Sequence, residues 1–165
     1  MTDESLAARL PALLPRVIEW ATRESQRILQ SGQPLTPQGI AVARAVGVAN
    51  PERIRVLEVP AIPAPEDPEL QRVALEQNLI SPDTGGLTLG YGIFILRGQL
   101  DLRLLSHECR HVHQVEVAGG LETFLPLYLK QIAEVGYTDA PYELDARQHE
   151  LSSLPTVSSD RGTMS

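Results

Sequence analysis

The chain has 165 residues, 42% of them hydrophobic and only 4% aromatic, enough for one core built mostly from Leu, Val, Ile and Ala. Its 14 Lys and Arg stand against 21 Asp and Glu, a net charge of −7, and Lys130 is the only lysine. That balance argues against nucleic-acid binding, which needs a basic stripe, and against an anionic membrane surface; no apolar run approaches the ~18 residues of a membrane span.

The first residues, MTDESLAARLPALLPR, carry acidic charges first, and Arg9, Pro11 and Pro15 interrupt the apolar positions, unlike a secretory signal. Residues 15–31 have Val17, Ile18, Ala21, Ile28 and Leu29 at helical spacing, closed by Gly32. Thr36-Pro37 is an N-cap followed by proline at the first helical position and opens a short helix that stops at Gly47. Ile54, Val56, Leu57 and Val59 predict a strand. The four prolines of 60–69 predict an extended surface connection, followed by a helix near 68–79.

Residues 85–99, GGLTLGYGIFILRGQ, read as a β segment ending in a turn at Gly98. Asp101 caps a helix that Gly119-Gly120 stops at Ala118. A further helix is expected over 121–135, begun late or kinked by Pro126 and ended by Gly136, and a last one from Pro141 to 152. The stretch 153–165 is small and polar and is expected to be disordered.

The helix 101–118 contains SHECRHVHQ, with three of the four histidines, and the only cysteine, Cys109, which can form no internal disulfide and suits a reducing, cytoplasmic setting. At about 100° per residue, His107 and His111 share one face, one turn apart, as two ligands of one tetrahedral metal ion require. Glu108, about 100° round, flanks that face, where a carboxylate reaches a water at the metal. This is the HExxH arrangement of two ligands and a general base. Cys109, His113 and Glu116 fall roughly opposite, and Cys109 reads as a small buried apolar residue. Gln114 shares the ligand face and can hydrogen-bond a ligand or line the cleft.

A catalytic zinc needs a third protein ligand and an open position. HExxHxxGxxH is excluded, because position 114 is Gln and position 117 is Val. An acidic residue from a later helix is the other solution. Glu122 follows the glycine stop too closely, and Glu134 sits at a helix end. The segment YTDAPYELDARQHE offers Glu143, Asp145, His149 and Glu150.

The runs TLGYGIFILRGQLDLRLLSHECRHVHQ, GGLETFLPLYL and GYTDAPYELDA resemble small bacterial proteins of the zincin metallopeptidase superfamily, in its gluzincin-like branch. The resemblance covers residues 85–147; Cys109, Arg110 and His113 depart from its pattern. It implies a Zn²⁺ ion held by His107, His111 and Glu143, with Glu108 as catalytic base; on the residues themselves Asp145 and His149 stay open as alternatives to Glu143. It also implies that the strand 92–97 borders the cleft and pairs with an extended substrate. The expected fold is α+β: mainly helical, with a small antiparallel sheet next to the HExxH helix. It forms one zincin-like domain over 1–152, with a helical subregion over 1–60. The expected function is a zinc-dependent metallopeptidase acting on a peptide or protein substrate, the oxyanion donor coming from Tyr91, Tyr137, Tyr142 or His149. The competing expectations are a non-catalytic zinc module that binds a partner, and a regulatory protease that cuts one cellular protein.

Overall fold

A computed structural model describes residues 4–81 and 84–156. Helix α1 (Leu6–Ser31) opens where the Ser5 hydroxyl accepts the amide proton of Ala8 at 3.3 Å. It begins at Leu6, not at residue 15, because Pro11 and Pro15 both lie on its exposed side. Carbonyls that lose a partner there can turn to water. Leu10, Leu13, Trp20, Ala21 and Ile28 form the buried side of the same helix.

Strand β1 (Gln33–Pro34) and helix α2 (Pro37–Ala45, capped by Thr36) follow, then β2 (Arg55–Val59). Residues 60–67 have neither helix nor strand, as their prolines dictate, and α3 (Pro68–Glu76) starts on the Asp67 carboxylate. The expected single β segment is a hairpin, β3 (Gly86–Leu89) and β4 (Gly92–Leu96). Helix α4 (Leu102–Ala118) begins on Asp101 and ends on Gly119, which is left-handed. Helix α5 (Leu121–Asp139) passes Pro126 without leaving helical geometry and is broken instead at Gly136. Helix α6 (Pro141–Gln148) ends short of residue 152. Of the tail expected to be disordered, 157–165 lie outside the described residues.

The fold is mainly helical α+β, as expected, with the sheet against the HExxH helix. The sheet itself is mixed and not antiparallel. Its order is β1–β2–β4–β3, and β2 runs parallel to β4, with Val56 opposite Ile93 and Val59 opposite Leu96. The connection between them carries α3 and β3, which gives the chain the length to return to the same end of the sheet.

The alternation of side chains along β4 separates two cores. Phe94 packs with Trp20 and Ile28 of α1 and Phe124 of α5. Ile93 and Ile95 pack with Cys109 and Val112 of α4 and Val46 after α2. Helix α4 is therefore fixed against one face of the sheet and α1 against the other. Because β4 is paired on both sides, it has no free edge for an extended substrate, contrary to the expectation for 92–97; the free edge beside it is β3. Among the described residues no helix is long and apolar enough to cross a membrane.

Candidate metal centre

Helix α4 sets His107 and His111 with ring centroids 4.9 Å apart and ring planes at 76°. The first turn of α6, started by Pro141, brings Glu143 to both. Its Oε2 lies 3.2 Å from His107 Nε2 and its Oε1 lies 3.1 Å from His111 Nε2. The ligand atoms offered by these three residues lie within 4.8 Å of one another, and Glu143 is only 2% exposed.

What stands behind the rings decides their protons. His107 Nδ1 lies 3.0 Å from Glu150 Oε2, and His111 Nδ1 lies 2.8 Å from Gln114 Oε1. The Gln114 amide nitrogen donates to the Tyr142 carbonyl and to Asp145 Oδ2, so its oxygen is the atom left to face His111. Each ring thus donates from Nδ1 and turns an Nε2 lone pair toward Glu143. Acceptors then meet acceptors across about 3 Å, which is stable only with positive charge between them. Glu143 Oε2 is fully buried and has no partner in hydrogen-bond geometry, although His107 Nε2 is near. A buried carboxylate facing two imidazole lone pairs, one of its oxygens orphaned, fits a divalent cation, and two N ligands with one O ligand suit zinc.

Protons can substitute for that charge. Burial opposes charging His111, but the Glu143 carboxylate outweighs it and raises the imidazole to about 9. His107 moves up for the same reasons, against its own burial. Burial acts to raise Glu143, yet the two imidazoles hold it well below the ordinary carboxylate range.

Glu108, 5% exposed, opens on the same cavity as the three. The Thr88 hydroxyl on edge strand β3 donates to its Oε2 at 2.6 Å. The strand comes this close because residue 86 is glycine: a Cβ there would lie 2.9 Å from Glu108 Oε1.

Neither alternative third ligand joins the cluster. Asp145 accepts both guanidinium bonds of Arg110, at 2.8 and 3.2 Å, and the Gln114 amide. His149 turns its Nδ1 to the Asp145 main-chain oxygen. Arg110 also donates to the Val46 carbonyl, tying α4 to α6 and to the turn after α2. His113 faces the Gly47 carbonyl, and Cys109 is wholly buried, its thiol pushed by that burial to about 12. Glu116 points away, accepting from the amides of Ala49 and Asn50 and from the Tyr91 hydroxyl.

Of the four residues considered as oxyanion donors, only Tyr137 lines the cavity. Tyr91 is held by Glu116, Tyr142 packs its ring on Phe124, and His149 is engaged with Asp145. Tyr137 follows the break at Gly136, whose φ of 81° only glycine adopts freely, and this turn swings it out of the run of α5. Its phenol is pushed up by burial and by the negative charges of Glu143 and Glu108. Sequence reasoning missed Tyr128, whose hydroxyl donates to Glu143 Oε1 at 2.9 Å. Its one signal was a polar group on the buried stripe of α5, one turn from Phe124. No protein-family model, curated protein or solved structure matches the chain.

Proposed function

We propose that the protein is a zinc-dependent metallopeptidase that hydrolyses amide bonds of a peptide or protein, with Glu108 as general base. The observation that carries this reading is the buried Glu143 carboxylate facing the Nε2 atoms of His107 and His111, its Oε2 unpartnered, with Glu108 open to the same cavity. His107, His111 and Glu143 would hold the zinc. Bound there, zinc supplies Lewis acidity, which makes water a nucleophile near neutral pH and polarises a carbonyl oxygen.

The remaining work belongs to the chain. Glu108 accepts the proton of the attacking water and passes it to the leaving amine. Thr88 holds one Glu108 oxygen, leaving Oε1 as the proton-carrying atom. Tyr137, whose raised pKa keeps it protonated, donates to the oxygen on which negative charge develops. Gln114 and Glu150 hold the two imidazoles in their tautomers. A purely structural zinc has no use for a buried carboxylate beside its ligands and is closed by four Cys or His ligands, which favours an enzyme over a partner-binding module.

Metal analysis tests the site: about one zinc per chain is expected, lost in a His107→Ala/His111→Ala double variant. No divalent ion under metal-replete conditions removes the proposal. Glu108→Gln should retain zinc and lose hydrolysis of an unfolded protein substrate; equal hydrolysis would eliminate Glu108 as base.

A further inference from the structure

The cavity that holds the His107, His111 and Glu143 cluster extends well beyond it. It has a volume of about 130 Å³ and is partly open to solvent. Its wall follows one face of α1 through Leu6, Leu10, Leu13, Val17 and Trp20, a span of about 21 Å at the helical rise. Leu70, Val73 and Ala74 of α3 form part of the same wall, with Leu79 and Ile80 beyond them. So small a volume along a wall of that length makes a narrow, partly open channel.

The polar groups gather around the cluster: its three residues, Glu108, Tyr128, Tyr137, Thr88 of β3 and Thr84 just before that strand. Along α1 and α3 the main chain is already bonded within its own helices, and apart from the Trp20 indole the side chains there are aliphatic. A peptide drawn into that part would bury amide groups with no partners. A single amino-acid side chain would fill only a fraction of the length. An alkyl chain has no polar groups to satisfy and is long and narrow enough.

We propose that the channel binds the alkyl chain of an N-acylated substrate, with the acyl amide lying at His107, His111, Glu143 and Glu108. This rests on the hydrolytic reading of the cluster and names its substrate class. The acyl C–N bond breaks, the oxygen of water remains on the acyl carbon as the carboxylic acid, and the amine departs with the proton that Glu108 delivers. The products are a fatty acid and a free amine.

Trp20 is the only tryptophan and lines the channel, so its emission reports occupancy independently of turnover. The zinc-loaded protein and its Glu108→Gln variant are titrated with the N-acetyl, N-octanoyl and N-dodecanoyl derivatives of glycinamide, below their aggregation concentrations. Affinity should tighten about tenfold for each added pair of methylenes until the channel is full, with a change in Trp20 emission and, in the unaltered protein, release of the fatty acid. Val73→Phe, which narrows the channel, should abolish the dependence on chain length while zinc content stays the same. If that variant does not fold, the chain-length series on the unaltered protein decides alone. Equal affinity for the acetyl and dodecanoyl compounds overturns the proposal, even if peptides are cleaved. Chain-length-dependent binding without cleavage of any amide supports the channel's occupant and instead overturns the hydrolytic reading.

Discussion

Glu150 Oε2 lies 3.0 Å from His107 Nδ1, on the side of the ring turned away from Glu143, whose Oε2 lies 3.2 Å from Nε2. One imidazole thus stands between two carboxylates. The outer one fixes the tautomer and raises the basicity of the nitrogen that faces the cluster. Glu150 is itself paired to Arg103 at 3.4 Å, which limits its swing. Glu150→Ala should weaken zinc affinity ~10–100-fold, measured by competition with a chromophoric chelator. Glu150→Gln keeps an acceptor but not the charge and should fall between the two. An unchanged affinity in both would show that this contact does not orient His107.

Gly86 and Thr88 hold Glu108 from strand β3 without touching the metal cluster. Gly86→Ala would put a Cβ 2.9 Å from Glu108 Oε1 and 3.0 Å from its Cγ, so the carboxylate must move. Thr88→Val removes the 2.6 Å hydrogen bond but keeps the shape of the side chain. The loss of a hydrogen bond to a charged group, ~1.5–3 kcal/mol, corresponds to a fall in kcat of about tenfold or more for Thr88→Val. Both variants should bind zinc normally. A fall in zinc content matching the fall in kcat would place these residues with the ligands instead.

His107, Glu108 and His111 were legible in the sequence because their geometry is local: helical rise and rotation alone fix it. Glu143 needed the fold. Position in the first turn after Pro141 narrowed the choice, but only the packing of α6 on α4 separates it from Asp145, which Arg110 and Gln114 claim. Thr88, Tyr128 and Glu150 act on residues 20, 15 and 43 positions away and leave no periodic trace. The run Ile93–Leu96 announces a strand buried on both faces, yet nothing in it encodes whether β2 runs beside it or against it. Pro11 and Pro15 disguised the start of α1, since a proline forbids a helix only where the freed carbonyl cannot reach water.

Cys109 offers a separate test of the helical arithmetic. Wholly buried with Ile93, Ile95 and Val112, its thiol is pushed to about 12, so it should resist thiol reagents until the protein unfolds. Cys109→Ala should be tolerated, while Cys109→Ser buries a hydroxyl among aliphatic groups and should lose ~1–3 kcal/mol, read from denaturant unfolding. Zinc content should be the same in both. Rapid labelling of the native thiol would show that it is not buried, and loss of zinc with the sulfur would place Cys109 on the metal face.

The titration of the cluster sets pH dependences of opposite sign for the stability of the metal-free protein and for its zinc affinity. His111 is raised from 6.5 to about 9 on folding, so its contribution to stability is fully present below 6.5 and disappears as pH climbs through about 9. Glu143 is depressed from 4.5, so its contribution is present above 4.5 and is lost as pH falls. With zinc chelated, the share of stability due to this cluster should be greatest between 4.5 and 6.5, and the thermal midpoint should decline from 6.5 toward 9. Zinc must displace the proton, so its apparent affinity should rise across that same interval, by about tenfold per pH unit for each proton released. In the loaded protein the gain in zinc affinity offsets the loss seen in the metal-free form, so its stability should stay level from 6.5 to 9. Calorimetric titrations in buffers of different ionisation enthalpy would count the protons. A zinc affinity that stays flat between 6.5 and 9 would mean that no proton occupies the space between His111 and Glu143.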